Sequence, residues 1–414
     1  MYLNHSTSKI KITLIATILI AAYIFCSCNQ NKLGYFTRDG LTQGSTYHIV
    51  FEINKNCINP ESSEIYSYLE ICDSIELYLK NIDFAVSGYN KSSILSLFNS
   101  YPDSLYQILY SHNIIEVETE SNNQIKSKLA IEEYSNVTEG NCEKRGDERD
   151  WNEQYEIFIS NYKLANYAYT QTKGKVDCSA APLFDLWGFG FKKGVDVTQS
   201  QIDSVKEFIG MGSFITMYNN EKNEKIEKKD PRSSLNFNAI AQGFTADYIG
   251  EKFSQMGIDN FLIEIGGEIL VKGKNRQNKN WRVGIDKPED GNNAQGENIQ
   301  EIIEIAKGGL VTSGDYRKFY IKDGKKFSHT IDPEAGYPVE HNLLSATIMA
   351  PSSAISDIYA TYCMVIGLER AKEFIEREKN ITGAILLFSS IGDTSSENKN
   401  EESDKILSWK YKID

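Results

Sequence analysis

Residues 308–361 read GGLVTSGDYRKFYIKDGKKFSHTIDPEAGYPVEHNLLSATIMAPSSAISDIYAT. The spacing predicts a strand at 309–313, then a hairpin. Its arms, 316–321 and 326–330, flank Asp323-Gly324, a strong two-residue turn signal. A further strand follows at 344–350, and then a helix capped by Ser352 or Ser353 that runs to Val365 and stops at Gly367. Strands joined by hairpins, with helices placed unevenly between them, indicate an α+β fold with mixed or antiparallel sheets, not a doubly wound parallel sheet. The same stretch carries His329 beside Ile331-Asp332-Pro333, and Asp357 four residues before Thr361.

The flanks extend this reading. Upstream, TYHIVFEI at 46–53 alternates as a strand does, 64–82 has helical spacing, and Ser92-Ser93 is a helix cap before Ile94. Residues 151–172 read as a helix stopped by Gly174. Asp177 can cap the turn that follows, and Pro182 sits early in a short helix. A further amphipathic segment covers 196–208, with strands at 215–218 and 225–228. A helix of about 15 residues lies within 235–257. Two strands surround Gly266-Gly267, and strands follow at 281–288 and 299–305. Downstream come a helix from Glu369 and a strand at 384–388. A polar, acidic tail fills 389–414, with an edge strand at 406–411. Residues 100–150 are rich in Asn, Ser and Glu and read as an insertion with one short helix near 125–134.

The 414-residue chain is long enough to bury a large core. Its net charge of −13 argues against nonspecific nucleic-acid binding. An acidic protein that handles an anionic ligand needs a cation between the two. At the N-terminus, Lys9 and Lys11 precede an apolar run at 12–25 that is short for a membrane span. It ends in Phe25-Cys26-Ser27-Cys28, which is similar to a lipoprotein cleavage box with Cys28 as the lipidated residue. An ordinary secretory signal or short anchor is the alternative. The expected division is a signal at 1–27, a tether at 28–38 and one large domain at 39–388. Loss of 1–27 removes two Lys and leaves a net charge of −15. The later cysteines, Cys57, Cys72, Cys142, Cys178 and Cys363, form neither a disulfide framework nor a CxxC zinc site. Cys178 and Cys363 are expected to be buried, and a Cys57–Cys72 bridge is open.

Asp357 and Thr361 lie on one helix face and can offer two oxygens to a hard cation such as Mg²⁺. Equally, Asp357 can be an acid favoured by the helix dipole, with Thr361 a core residue. The glycine pairs 266–267 and 308–309 can admit a ligand against the backbone or merely turn the chain. His329 is the only His whose neighbours suggest a shaped site. There is no GxSxG, HExxH, P-loop or GxGxxG pattern.

Eight segments in order resemble the FAD:protein FMN transferase (ApbE) family. They are QGSTYHI (43–49), VSGYNKSSILSLFN (86–99), KVDCSAAPLFDLWGFG (175–190), NFNAIAQGFTAD (236–247), EIGGEI (264–269), TSGDYRKFY (312–320), SHTIDPEAGYPV (328–339) and SDIYAT (356–361). The resemblance implies a T-fold-related α+β enzyme that moves FMN from FAD onto a Thr or Ser hydroxyl of an acceptor flavoprotein and releases AMP. By the family pattern Asp357, Thr361 and the main-chain carbonyl of Ala239 hold Mg²⁺. Gln43, Tyr89, Lys175, Val176, Asp177, Asn236, Gln242 and Ile331 contact FAD, and His329 is the general base. Members are commonly bacterial lipoproteins, which implies a lipid anchor on the extracytoplasmic side of the cell envelope. A Mg²⁺-dependent FAD pyrophosphatase and a non-catalytic flavin-binding lipoprotein are the alternatives. The chain departs from the pattern at Asn236, where Asp is frequent, at Gln242, where Lys or Glu is, and at Gln43, where Met is.

Overall fold

In the computed structural model the residues described are 33–112, 114, 149–190, 197–219, 223–289, 296, 298–315, 319–322, 325–390 and 405–413. In chain order the strands are β1 (Gly34–Thr42), β2 (Ser45–Ile53), β3 (Phe214–Asn219), β4 (Asn223–Lys228), β5 (Phe261–Ile265) and β6 (Glu268–Lys272). They continue with β7 (Trp281–Asp286), β8 (Ile299–Ile305), β9 (Lys307–Gly314), β10 (Phe319–Lys322), β11 (Lys325–Ser328) and β12 (Ile331–Asp332). The last are β13 (Tyr337–Pro338), β14 (Leu343–Ala350), β15 (Gly383–Ser389) and β16 (Ile406–Tyr411). The helices are α1 (Tyr68–Val86), α2 (Ile94–Ser100), α3 (Pro102–Ser111), α4 (Trp151–Gln171) and α5 (Ala181–Leu186). They are followed by α6 (Gln199–Lys206), α7 (Ala241–Gln255), α8 (Ser353–Ile366) and α9 (Leu368–Arg377).

One eight-stranded sheet, in the order β1-β2-β5-β6-β9-β14-β15-β16, carries the molecule. Every pairing in it is antiparallel. Alternation along the strands sends apolar residues to both faces, so each face needs a cover. On one face Ile49, Phe51 and Ile263 pack with Ile71 and Ile75 of α1 and with Ile249 and Phe253 of α7. Further along that face Val311, Ile348 and Leu386 pack with Ile358 and Cys363 of α8. The other face, with Ile269, Val271, Leu310 and Ile385, is roofed by Trp281, Val283, Ile303 and Ile305 of the β7–β8 hairpin. The antiparallel α+β reading holds. So do the Asp177 turn and the Ser93 and Ser352 caps, where each Ser oxygen accepts the amide three residues on.

Three expectations need correction. The tether does not reach 38, because Gly34–Arg38 already pairs with Ile49–Ile53 as the sheet edge. The stretch expected as an insertion begins with α3, whose Leu105 and Leu109, with Ile114, are buried in the main core. Pro102 at the first helical turn and that apolar spacing are the cause. Cys57 and Cys72 are both buried free thiols, so that bridge is absent. Cys178 and Cys363 are buried, as expected. Cys28, Cys142, the helix expected near 125–134, the hairpin turn at 323–324 and most of the polar tail lie outside the described residues. Among the described residues no helix is long and apolar enough to cross a membrane.

The sheet and its helices meet through glycines. A Cβ on Gly243 of α7 would lie 2.8 Å from Ala354 Cα of α8, and one on Gly309 of β9 would lie 2.3 Å from the Ser352 carbonyl oxygen. Both neighbours are backbone and have nowhere to move. Gly309→Ala is therefore expected to destabilise the fold by about 1–3 kcal/mol, as overpacking does. Gly212→Ala, which meets open space, should be near neutral. Chemical denaturation of the two variants checks this, and equal stabilities would reject the close-approach argument.

Candidate active site

The start of α8 is held by α7. Asp247 Oδ1 accepts the Ser353 amide at 2.8 Å, and Oδ2 accepts the Ala354 amide at 2.9 Å. These are amides that a helix N-terminus leaves without intrahelical partners, and a carboxylate is the favoured acceptor for them. Burial nevertheless pushes the Asp247 carboxyl up to about 6, with the Ala354 and Ser353 amides and the Ser352 hydroxyl pulling the other way.

This clamp delivers Asp357 to the first turn of α7. Asp357 is 4% exposed, and its Oδ2 has no hydrogen-bond partner. Burial raises its carboxyl well above the usual range; the Gly243 amide opposes that shift, and the neighbouring Asp247 charge adds to it. One turn along α8, Thr361 Oγ1 lies 3.3 Å from Ser313 Oγ on β9. Ala239 stands in the turn just before α7, four residues from the Gly243 amide that reaches Asp357. Among the described residues, no three His, Cys, Asp or Glu side chains are grouped as a metal site. A cation here would therefore depend on hydroxyl and main-chain oxygens as well as the carboxylate, which suits a hard ion. An orphaned buried carboxylate oxygen fits such an ion.

Gln43 and Gln242 lie by α7, and the 175–177 and Asn236 residues form a second group. Gln43 turns the β1–β2 hairpin at φ +50° and donates from Nε2 to Thr245 Oγ1 of α7 at 2.5 Å. Gln242 presses on Gly266, where an added Cβ would lie 2.3 Å from its amide nitrogen; the Gly266 φ is +67°. The 175–179 strip joins the 234–236 strip through the Ala180–Ser234 bridge and an Asn236 amide donating to the Cys178 carbonyl at 2.7 Å. Val176 is buried, and its amide donates to Thr172 Oγ1. Asp177 is buried with Oδ1 accepting the Ser179 amide and hydroxyl. Burial raises its carboxyl, against those bonds and the Gly210 amide. Lys175 reaches across to Asp332, the neighbour of buried Ile331. Burial lowers its ammonium pKa, but Asp332 and Glu334 outweigh that and leave it raised.

A cavity of about 800 Å³ opens beside this strip, with Lys175, Asp177, Tyr169, Tyr362 and Arg370 in its wall. Asp357 and Thr361 are not in that wall, although Tyr362 follows Thr361 on α8. A ligand that uses both regions must be long. His329 is the bend directly after β11, half-buried, and Thr330 next to it donates to Asp315 Oδ1 at 2.5 Å. Tyr89 lies in the α1–α2 loop with 74% of its surface exposed. Asp247, Ser313 and Asp332 were not singled out from the sequence. The signal for Asp247 was available: an acid between Ala246 and Ile249 on a face that must pack, four residues after Gly243.

The sequence pattern of the ApbE family matches residues 103–386. The FAD:protein FMN transferase of Haemophilus influenzae is 29% identical over 363 residues, covering 87% of this chain and 89% of that protein. That of Escherichia coli K12 is 38% identical over 210 residues, covering 50% of this chain and 58% of that protein. The flavin transferase ApbE from Vibrio cholerae has the same fold, with a TM-score of 0.61 at 24% identity, covering 91% of this chain and 97% of that one. The apo flavinyl transferase ApbE of Pseudomonas stutzeri gives 0.62 at 23% identity, over 92% and 96%. The match across 103–386 takes in α3, the 175–179 strip, the start of α7, the His329 corner and the Asp357–Thr361 turn, and the chain belongs to the ApbE family.

Proposed function

We propose that this protein transfers FMN from FAD to a Thr or Ser hydroxyl of an acceptor flavoprotein and releases AMP. The observation that carries this reading is the Asp357 carboxylate, buried with one oxygen unpartnered, in a chain whose relatives are named FAD:protein FMN transferase. A carboxylate so placed is costly unless it is protonated or faces a cation.

Asp357, Thr361 and the Ala239 carbonyl are the oxygens that would hold Mg²⁺. When bound, the ion would offset pyrophosphate charge in an otherwise acidic protein and stabilise the charge that builds at phosphorus. Lys175, Val176, Asp177, Asn236 and Ile331 border the region for the nucleotide, and Gln43 and Gln242 flank the start of α7. Both amides keep hydrogen-bonding capacity without formal charge. Tyr89 is the exposed ring against which a flavin could stack. His329 takes the proton from the acceptor hydroxyl as its oxygen bonds to the FMN-side phosphorus and the bond to the AMP phosphate breaks. The pyrophosphatase reading uses the same groups with water as nucleophile, and no observation favours it. The basic, apolar and Ser-Cys pattern of residues 1–28 supports lipidation at Cys28 and a site on the outer side of a bacterial envelope membrane.

Incubation with FAD, Mg²⁺ and a flavoprotein acceptor should add one FMN mass to a Thr or Ser, read by mass spectrometry, and EDTA should stop it. Free FMN with an unlabelled acceptor would reject transfer. Asp357→Asn should cut labelling by about 100-fold. Its stability should move the other way. A carboxyl raised by burial stabilises the fold below its unfolded pKa and loses that contribution as pH rises towards its folded pKa. In EDTA the Tm of Asp357→Asn should therefore exceed that of the wild type by more at pH 7 than at pH 4; a gap that shrinks would contradict the burial argument. His329→Ala should leave FAD affinity within about threefold while labelling falls by about 100-fold or more; undiminished labelling removes the base role. Cys28→Ala should shift the protein from the membrane fraction to the soluble one, and an unchanged membrane fraction would rule out the lipid anchor.

A further inference from the structure

The Lys175 ammonium has three N–H donors and no acceptor. It lies 2.9 and 2.8 Å from the two oxygens of Asp332 and 2.6 Å from Glu334 Oε2, and only 16% of its side chain is exposed. Three carboxylate oxygens thus take all three donors, and none is left for a phosphate oxygen. The partners are unequal. Asp332 is 21% exposed and Glu334 is 78% exposed, so the Asp332 contact is the stronger one; exposed pairs contribute little.

Both acids stand on the corner that runs from His329 through β12 and β13. The corner is stiff in itself: Asp332 Oδ1 accepts the Glu334 amide, the Asp332 carbonyl accepts the Gly336 amide, and the Thr330 carbonyl accepts the Val339 amide. It is also tied down at its far side. Trp187 Nε1 donates to the Gly336 carbonyl at 2.8 Å, and Lys206 Nζ donates to the Glu334 carbonyl at 2.7 Å. On the near side there are two ties: the Thr330 hydroxyl donates to Asp315 Oδ1 next to His329, and Lys175 holds Asp332 three residues from it. Lys175 is itself fixed, because its amide donates to the Thr172 carbonyl and Asp177 follows in the cavity wall.

We infer that Lys175 is a positioning residue whose ammonium, through Asp332 and Glu334, fixes the 329–338 corner and His329 against the cavity wall, with no direct side-chain contact to FAD. The inference rests on the proposed transfer only for its kinetic consequence. The mechanical part stands on the ion pairs alone.

The test compares Lys175→Met, Lys175→Arg and Asp332→Asn in the full chain by three readouts. Amide hydrogen exchange of 329–338 should rise about tenfold in Lys175→Met and Asp332→Asn, with α8 and β14 unchanged. FAD affinity, read by flavin fluorescence, should stay within about twofold, because no ligand contact is removed. The transfer rate at saturating FAD should fall by about 30-fold, the scale of a small misplacement of a reacting group, and Lys175→Arg should restore most of it. Unchanged exchange in both neutral variants overturns the inference. So does a loss of FAD affinity of about tenfold or more in Lys175→Met but not in Asp332→Asn, which would make the ammonium a direct ligand. If the wild type labels no acceptor, the transfer reading fails, while exchange and FAD affinity still decide the role of Lys175. If Lys175→Met does not fold, Asp332→Asn carries the same exchange test.

Discussion

The contact on which the rest of the site depends is the clamp between Asp247 and the first amides of α8. Two helices can approach this closely only because residue 243 has no side chain and because Asp247 satisfies amides that would otherwise be buried without partners. The clamp fixes the register of α8 against α7. That register sets Asp357 beside the Gly243 amide and Thr361 beside Ser313 of β9. A shift of one residue would turn Asp357 by about 100° away from the start of α7.

The same arrangement concentrates negative charge. Asp247 and Asp357 are both desolvated, and the Asp247 charge makes ionisation of Asp357 harder still. Natural folds rarely keep such a pair without a partner cation or a shared proton. Beyond the pair, the cavity beside the 175–179 strip carries both signs of charge, with Asp177, Glu334 and Glu373 facing Lys173, Lys175, Lys206, Arg370 and Arg377. An anionic pyrophosphate placed against the Asp357 carboxylate would need its charge offset. The electrostatics of a chain with net charge −13 and the orphaned Asp357 oxygen thus make the same demand.

The misread segments share a cause. Residues 34–38 read GYFTR, and Tyr, Phe and Thr favour strands, but a run this short behind a polar stretch becomes a strand because β2 offers it an open edge. Residues 102–111 carry helical apolar spacing, but the surrounding Asn and Ser dominate the composition, and only burial of Leu105, Tyr106 and Leu109 in the main cluster, with the Tyr106 hydroxyl donating to the Ile226 carbonyl, makes them core. Cys57 and Cys72 are close enough in sequence to suggest a bridge, yet each thiol is buried in its own setting. In each case the deciding partner lies elsewhere in the chain.

Local signals were enough for much of the rest. Caps at Ser93 and Ser352, the stop at Gly174, the hairpin arms at 319–322 and 325–328 and the helix at 241–255 follow from side-chain chemistry within a few residues. The candidate site residues were also legible, because motif order survives where any single motif is weak. What the sequence could not contain is how those residues are used. Asp357 alone is a plausible helix-dipole acid; it becomes a candidate cation ligand only where α7 buries it and leaves one oxygen without a partner. Lys175 alone is a plausible phosphate ligand, and it is committed elsewhere only because a corner 157 residues away brings Asp332 to its ammonium. Caps and turns are fixed by neighbours along the chain, whereas burial and ion pairing are fixed by neighbours in space, and those exist only once the sheet has closed against its helices.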